Sequence, residues 1–396
     1  MKIIIAPDSY KGNMSSPEVC TAIEEGILRA EKDAKIIKIP LADGGEGTAK
    51  AVTQAAGGNF VSIEVTGPLG KKHTAEFGLI NNGSTAVLDM ASASGIDLLD
   101  RKDLNPLKAT SRGTGELIKA ALDTGAKELI IGIGGSATND GGIGMLSALG
   151  FRILDVNNKD VGDGGQALAK IASFDPSGAD ERLKNVSITV ACDVTNPLLG
   201  ERGATAIFGP QKGADPGMVK LLDAGLAKLA EAWIKAELAK DLEQPGDGAA
   251  GGVGAAMRVC MNAKMESGAL LVMRHAGFFK HLNDAVLVIT GEGRTDGQTI
   301  SLGKLCSVVA GEARKAGVPT ALLSGALSGV SKNSCDADAV EKRLPSGDFF
   351  KVFDYAMSIS SGETSLEALL ANGPCNLSFA AENLIAAIKI GRKLKL

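Results

Sequence analysis

Residues 130–144 read IIGIGGSATNDGGIG. Apolar residues end a predicted strand at Ile133, and small or polar residues then form a turn before a predicted helix that runs to about Leu149. Because glycine lets backbone N–H groups approach a ligand closely, and a helix N-terminus carries partial positive charge, the pattern favours an anion site. Phosphate is the usual anion at such a site. A tight βα turn without a ligand is the alternative.

The composition limits the classes of protein to which the chain can belong. A length of 396 residues predicts two domains, and a net charge of −4 without a Lys/Arg run argues against nucleic-acid binding. The cysteines lie far apart and form no CxxC motif, so reduced thiols are expected. Neither a signal peptide nor a run of apolar residues long enough to span a bilayer is found. We therefore expect a cytoplasmic protein with no membrane partner.

The N-terminal strand leads directly to polar residues. Residues 2–6 are apolar enough for a buried strand that stops before Pro7, and Asp8, Ser9 and Lys11 follow. Open α/β sheets bind ligands at such strand ends, although Asp8 capping a turn and a solvated Lys11 are equally acceptable. Residues 15–18, SSPE, predict a helix start with Pro in the first turn.

A second predicted strand, residues 36–41, ends in a glycine-rich turn that holds Asp43 and Glu46. Carboxylate oxygens suit hard cations and substrate hydroxyls, so the turn is a candidate metal or substrate site. A helix N-cap with an acid in the first turn is the alternative.

The hydrophobic pattern changes between residues 60 and 88, where alternating apolar residues and the breaks at Gly67 and Asn82 predict antiparallel hairpins. The segment 90–95, MASASG, is a candidate substrate-facing loop that includes Ser94. Arg112 begins a helical stretch and could bind a carboxylate or phosphate; an ordinary surface arginine is the alternative.

Further candidates follow a buried strand at residues 187–191. Asp193 lies just past its end with Asn196 nearby, where a catalytic carboxylate would be held rigidly and partly desolvated. Lys212 stands in a glycine-bounded turn, and Trp233 lies in an amphipathic helix where packing is expected. The segment 246–254, GDGAAGGVG, fits a lid, a hinge or a tight helix entry equally well.

A buried strand at residues 285–290 leads to Glu292 and Arg294, and the strand and helix rhythm then continues to the C-terminus. Both ends of the chain show the same alternation of predicted strands and helices, and the pattern in the middle of the chain differs. We therefore predict two α/β domains, with the active site in the cleft between them. The first is a flavodoxin-like or Rossmann-like parallel-sheet domain of residues 1–60, 108–150 and 280–396. The second is an inserted mixed α/β domain of residues 61–107 and 151–279.

Phosphoryl transfer fits the strand-end loops best, because it needs backbone N–H groups and cations around phosphates, carboxylates for Mg²⁺ and a carboxylate near the attacking hydroxyl. An NAD(P)-dependent oxidoreductase of a small hydroxy acid is the alternative. Residues 132–137 fit a loose GxGxxA motif, and Asp155 lies about 20 residues on, where the ribose-binding acid should be. A non-catalytic binding protein would not need so many carboxylates. No P-loop or protein-kinase signature is present.

Seven motifs, in order along nearly the whole chain, together resemble the bacterial type I glycerate kinase family: IIIAPDSYKG, PLADGGEGT, VTGPLG, GIGGSATNDGG, ACDVTNPLLG, FGPQKGA and VITGEGRTDGQT. The resemblance implies ATP-dependent phosphorylation of D-glycerate with Mg²⁺, and 2-phosphoglycerate is the favoured product. It also implies two α/β domains, one flavodoxin-like and one inserted. A homodimer is compatible with it.

Roles for the candidate residues follow as hypotheses. Asp193 is the expected catalytic base, and Lys11, Lys212 and Arg294 are expected at the transferred phosphate or the substrate carboxylate. The expected substrate-binding residues are Asp8, Ser9, Asp43, Ser94, Arg112 and Asn196. The expected Mg²⁺ ligands, direct or through water, are Asp43, Glu46 and Glu292. The phosphate loop is expected to comprise Gly134, Gly135, Ser136, Thr138, Asn139, Asp140, Gly141 and Gly142.

Overall fold

The computed structural model describes residues 1–42, 47–240, 242–295, 304–327, 351–360 and 365–394. The chain divides into two compact units. Residues 1–43 and 272–396 form the terminal unit, and residues 44–271 form the central unit.

The strands of the described residues are β1 Lys2–Ile5, β2 Lys35–Lys38, β3 Asn59–Thr66, β4 Lys72–Ile80, β5 Thr85–Asp89, β6 Glu128–Gly132, β7 Arg152–Leu154, β8 Ser173–Asp175, β9 Ser187–Ala191, β10 Lys264–Glu266, β11 Leu287–Thr295, β12 Thr320–Leu327 and β13 Tyr355–Ser358. The numbered α-helices are α1 Ser16–Ala30, α2 Thr48–Ala55, α3 Met90–Ser94, α4 Arg112–Asp123, α5 Ile143–Ala148, α6 Ala204–Phe208, α7 Pro216–Lys235, α8 Val253–Met261, α9 Gly268–His275, α10 Phe278–Leu282, α11 Leu305–Lys315, α12 Leu366–Ala371 and α13 Gly373–Leu394.

The terminal unit is built on a five-stranded parallel sheet in the order β13-β12-β11-β1-β2. Numbered by chain order within the unit, this is the 2-1-3-4-5 order of flavodoxin-like folds. The interior strand β1 is entirely apolar after Lys2, as expected for a parallel strand with both faces covered.

Helices α1 and α13 cover one face of this sheet, with Ile23 and Ile27 of α1 in one core with Leu384 and Ile385 of α13. The predicted start of α1 is confirmed: Pro17 lies in its first turn, and the Glu18 carboxylate accepts hydrogen bonds from the backbone N–H and hydroxyl of Ser15 at 2.8 and 2.6 Å. These local signals fix where the helix begins, and the apolar stripe fixes which face it buries.

The central unit contains a six-stranded sheet in the order β10-β9-β6-β5-β4-β3. Its β3–β4 and β4–β5 pairs are antiparallel, so both predicted hairpins are confirmed, and the remaining pairs are parallel. A separate antiparallel pair joins β7 to β8. Trp233 of α7 is fully buried in this unit's core, where its ring meets Phe174 edge-on at 6.4 Å.

The predicted domain boundaries differ from this division. Residues 108–150 were assigned to the flavodoxin-like domain, but β6 pairs with β5 and β9 in the central unit's sheet. Residues 44–60 also belong to the central unit, and residues 272–279 belong to the terminal unit. Both sheets contain parallel strands followed by helices, so the hydrophobic pattern of β6 fits either one. Only its hydrogen-bonded partners assign it.

The glycine-rich segment 246–254 is a tight helix entry packed against the glycine turn of residues 134–142. The N–H of Gly141 donates to the carbonyl of Gly251 at 3.0 Å, and a Cβ on Gly251 would lie 2.3 Å from the carbonyl oxygen of Thr138. Gly251 and Gly252 also have positive φ values, 68° and 96°. Glycine is needed here because two backbone segments touch and because the turn is left-handed.

The predicted fold class, two α/β domains of which one is flavodoxin-like, is confirmed. No helix within the described ranges is both long enough and apolar enough to cross a bilayer.

Candidate active site

A cavity of about 660 Å³ in the terminal unit lies where β1, β11 and β12 end. In a 2-1-3-4-5 sheet the crossovers leave in opposite directions on either side of β1 and β11. The crevice at that point is where open α/β sheets bind ligands. We call it the terminal cavity.

Two sets of side chains line the terminal cavity. The charged set combines three cations with two carboxylates: Lys11, Arg294, Lys304, Asp8 and Glu292. The apolar set comes largely from helix α12 and its surroundings: Leu305, Ile359, Leu366, Leu369 and Leu370. A ligand with both an anionic part and an apolar ring would be matched by this lining.

Hydrogen bonds hold the carboxylates of this cavity in place. The N–H of Asp8 donates to the carbonyl of Gly291 at 2.8 Å, which ties the segment after β1 to β11. The Asp8 carboxylate accepts from the N–H of Ser9 at 2.6 Å, and the Thr295 hydroxyl donates to Glu292 at 3.0 Å. The sequence-predicted residues Asp8, Ser9, Lys11, Glu292 and Arg294 are therefore brought together in one cavity.

Several lining residues were missed by sequence reasoning. Tyr10 is buried and donates its hydroxyl to the carbonyl of Leu323 at 2.7 Å, and burial raises the pKa of that hydroxyl. Lys304 stands at the N-cap of α11, and its position in the sequence shortly after the predicted strand at residues 285–290 was the available signal. Leu366, Leu369 and Leu370 resemble an ordinary surface helix in the sequence, and only the structure assigns them to the cavity.

Asp193 and Asn196 lie after β9 in the central unit. The Asp193 carboxylate accepts a hydrogen bond from the N–H of Gly268 at 3.1 Å, at the start of α9. The Asn196 amide donates to the carbonyl of Arg202 at 2.8 Å. Both side chains thus have local structural contacts, and Asn196 in particular ties down its own loop.

Lys212 is buried, with 2% of the residue exposed. Its ammonium donates to the hydroxyl of Ser136 at 2.9 Å and to the carbonyl of Thr138 at 2.6 Å. Burial lowers the pKa of Lys212 to about 7, and the nearby charge of Asp140 acts in the opposite direction. The lysine is therefore bonded to the glycine turn of residues 134–142 and does not lie at the surface.

The expected phosphate loop is mostly interior. Gly135 is exposed and Gly134 half-buried, whereas Ser136, Thr138, Asn139 and Asp140 are buried. The Asp140 carboxylate accepts hydrogen bonds from the N–H and hydroxyl of Ser111, both at 2.8 Å, and from the N–H of Gly142 at 3.0 Å. Only residues 134 and 135 can therefore meet a ligand without rearrangement.

Arg112 and Ser94 have partners inside the protein. Arg112 forms a two-point ion pair with Asp163, at 2.7 and 2.9 Å, which raises the pKa of the guanidinium. Ser94 is buried and accepts a hydrogen bond from the hydroxyl of Thr114 at 3.0 Å. Neither side chain lines the terminal cavity or a second cavity that lies in the central unit.

The remaining expected metal ligands, Asp43 and Glu46, lie outside the described residues. Within the ranges that are described, no group of three or more His, Cys, Asp or Glu side chains is placed to hold a metal ion. Of the three expected ligands, Glu292 is described, and it shares the terminal cavity with Asp8.

A second cavity, of about 570 Å³, lies in the central unit, and we call it the central cavity. The exposed Gly135 forms part of its wall together with Gly95 and Ser92. Its charged lining consists of Lys50 and the carboxylates Glu76, Asp89 and Asp97. Asp89 caps helix α2 by accepting from the N–H groups of Gly47 and Ala49 at 2.9 and 3.0 Å.

The dinucleotide alternative required Asp155 beside the glycine turn, at the end of a neighbouring strand. Asp155 instead follows β7, which pairs only with β8 among the described strands and lies outside the sheet that holds β6. Its carboxylate accepts from the N–H groups of Asn157 and Lys159 at 2.8 and 3.0 Å, so it shapes a tight turn. The structure does not support the oxidoreductase interpretation.

Comparison with known proteins identifies the family of this chain. Residues 3–389 match the family model described as the glycerate kinase family. The chain is 44% identical over 394 residues to glycerate kinase of Bacillus subtilis (strain 168), covering 100% of this chain and 99% of the relative. It is also 44% identical to glycerate 2-kinase of Escherichia coli (strain K12), with 99% of each chain covered. A crystal structure from Salmonella typhimurium LT2, assigned to glycerate kinase 2, superposes with a TM-score of 0.85 at 44% identity over 99% of both chains. This chain belongs to the glycerate kinase family.

Proposed function

We propose that the protein transfers a phosphoryl group from ATP to D-glycerate, giving 2-phosphoglycerate and ADP. The terminal cavity at the β1–β11 switch point carries this proposal, because its lining combines cations, carboxylates and an apolar wall. Family membership supports the glycerate kinase activity, and the name of the Escherichia coli relative supports the position of phosphorylation.

ATP fits the terminal cavity in two parts. Lys11, Arg294 and Lys304 supply positive charge for the phosphates, since charge-assisted hydrogen bonds to phosphate oxygens are the strong ones. Leu366, Leu369 and Leu370 supply an apolar wall for the base. The volume of about 660 Å³ lies within the usual range for small-molecule sites.

Mg²⁺ fits the same cavity. Magnesium is usually held by one or two carboxylates together with substrate phosphates and water, and Asp8 with Glu292 provides such a pair. The bound ion would neutralise charge that develops on the phosphates. Asp43 and Glu46 remain predicted ligands.

The proposed acceptor chemistry rests on Asp193. A carboxylate that takes the proton of the glycerate hydroxyl makes that oxygen a better nucleophile toward the γ-phosphorus. The hydrogen bond from the N–H of Gly268 fixes the position of this carboxylate.

A coupled assay of ADP release tests the reaction. We expect ADP only when ATP, Mg²⁺ and D-glycerate are all present. Oxidation of glycerate with NAD and no ADP would contradict the proposal.

Phosphorus NMR of the product tests the position of transfer, because phosphate on carbon 2 couples to one proton and phosphate on carbon 3 couples to two. A doublet supports 2-phosphoglycerate, and a triplet would assign the other isomer.

A further inference from the structure

Lys212 is a buried lysine that forms no direct ion pair in the described part of the chain, and the nearby charge of Asp140 offsets only part of the cost of its burial. Lysine is almost never fully buried unless it is paired, because removing an ammonium from water is costly. The turn that carries it is also tightly fitted: Gly213 has a φ of 91°, and a Cβ there would lie 2.6 Å from the carbonyl oxygen of Leu104. Burying this ammonium costs free energy, and the turn that holds it is closely packed, so we expect the lysine to serve a function.

The two hydrogen bonds of Lys212 both go to one short segment. The ammonium reaches the Ser136 hydroxyl and the Thr138 carbonyl, on either side of Ala137. The opposite side of the same segment is held by backbone bonds, from Ala137 N–H to the Ser94 carbonyl at 2.9 Å and from Ile96 N–H to the Gly135 carbonyl at 2.8 Å. The turn is therefore fixed from two directions.

The part of the chain fixed in this way is the exposed Gly135, on the wall of the central cavity. Gly135 has a φ of 72°, so the left-handed turn presents backbone rather than a side chain to the cavity. Lys212 lies behind this turn and is attached to the next residue, Ser136. A ligand at Gly135 would therefore depend on Lys212 through the position of this turn.

The charges around the central cavity indicate which anion it takes. Glu76, Asp89 and Asp97 would repel a polyphosphate, and Lys50 is the lining cation among the described residues. Carboxylates are acceptors for hydroxyl groups, and a small hydroxy acid carries a single negative charge together with hydroxyl donors. The lining therefore fits a hydroxy acid better than a nucleotide.

We propose that Lys212 is a positioning residue for the glycerate site, holding the turn of residues 134–136 so that it receives the carboxylate of glycerate in the central cavity. The proposal rests on the proposed glycerate kinase activity and names the substrate that this turn binds. It replaces the expected phosphate at residues 134 and 135 with a carboxylate, because the three acidic residues oppose a polyphosphate there.

The test compares Lys212→Met with the matched variant Lys228→Met. Lys228 also donates to a backbone carbonyl, that of Ala169 at 2.6 Å, but it is exposed and lines neither cavity. Steady-state kinetics give KM for glycerate, KM for ATP and kcat, and calorimetry gives the binding of D-glycerate and of ADP separately.

In Lys212→Met we expect KM and Kd for glycerate to rise by roughly tenfold to hundredfold, the loss associated with a hydrogen-bonded charged group. ADP binding and KM for ATP should change less than about twofold, and Lys228→Met should match the wild type in every measurement. A folded Lys212→Met protein with normal glycerate binding, or with glycerate and ADP weakened equally, would overturn the proposal.

If Lys212→Met does not fold, Ser136→Ala tests the proposed role of Lys212. This variant removes one acceptor of the ammonium while keeping the charge, and we expect glycerate to bind roughly fivefold more weakly with ADP binding unchanged. Unchanged glycerate binding would overturn the proposal here too. Failure of the wild type to form ADP from ATP and glycerate would instead contradict the proposed function.

Discussion

Asp193 is the residue on which the proposed chemistry depends most. Asp193→Asn keeps the shape of the side chain and an oxygen that can accept from Gly268, but it removes the charge and the basicity. We expect kcat to fall by roughly 10²–10⁴, the range of general acid–base catalysis, with much smaller changes in glycerate binding.

Two controls separate the possible roles of Asp193. If the carboxylate binds Mg²⁺, a higher Mg²⁺ concentration should restore much of the activity. If it only caps α9, the melting temperature should fall while turnover per folded molecule stays normal. Either result would remove Asp193 as the catalytic base.

Lys212 makes the stability of the protein depend on pH. Its pKa is about 7 in the folded protein against 10.5 for the ordinary side chain, so between these values the unfolded chain binds more protons. The cost of burying the charge is therefore fully present below pH 7 and declines as the pH rises toward 10.5.

Urea denaturation at pH 7 and pH 9 measures this effect. From the lower to the higher pH, wild type should gain up to about 2 kcal/mol relative to Lys212→Met, while Lys228→Met should follow the wild type. A constant difference between wild type and Lys212→Met across this range would contradict the depressed pKa.

At the level of secondary-structure elements, helices α1 and α13 approach each other closely at Gly26. A Cβ on Gly26 would lie 2.0 Å from the carbonyl oxygen of Ser378 and 2.9 Å from the Cβ of Ala381. Gly26→Ala gains about 1 kcal/mol of helix propensity, but the helices must separate, so we expect a net loss of about 1–3 kcal/mol.

Gly311→Ala in α11 is the matched control, because a Cβ there has nothing within 4 Å. We expect that variant to be more stable by about 0.5–1 kcal/mol. Thermal unfolding of the two variants compares the gain in helix propensity with the cost of separating the two helices. Equal stabilisation by both would show that α1 and α13 pack less closely than described.

The elements themselves were largely predictable from the sequence. The strand at residues 187–191 and the hairpins around Gly67 and Asn82 follow from local apolar patterns and turn residues. The interior position of Asn139 and Asp140 was not predictable, because polar residues in a glycine turn resemble a ligand site. Their burial depends on Ser111 and Thr205, which are distant in sequence.

At the scale of the whole molecule, the switch-point residues Asp8, Glu292 and Arg294 were found from the sequence because strand ends can be read locally. The place of β6 in the sheet of the central unit could not be predicted from the sequence, since both sheets contain parallel strands. The expected cleft between the domains remains a prediction, and a homodimer remains one possibility left open by the sequence.

The two proposed substrate sites lie in different units, and hydrogen exchange can distinguish them. ADP with Mg²⁺ should protect backbone amides in residues 8–12, 291–295 and 365–376, which line or flank the terminal cavity. Glycerate should protect residues 94–97 and 134–137 around the central cavity. Protection of residues 134–137 by ADP alone would contradict this division.

The pairing of β1 with β11 has a consequence for synthesis of the chain. Ile3 pairs with Leu287, so β1 waits for this neighbour while about 280 further residues are synthesised. At about 5–20 residues per second, that delay is about 15–60 s. Residues 44–271 can meanwhile complete their own sheet. The nascent chain therefore carries the apolar strand β1 with β2 on one side but without β11 on the other during that interval, and this uncovered edge of β1 is a natural target for a chaperone.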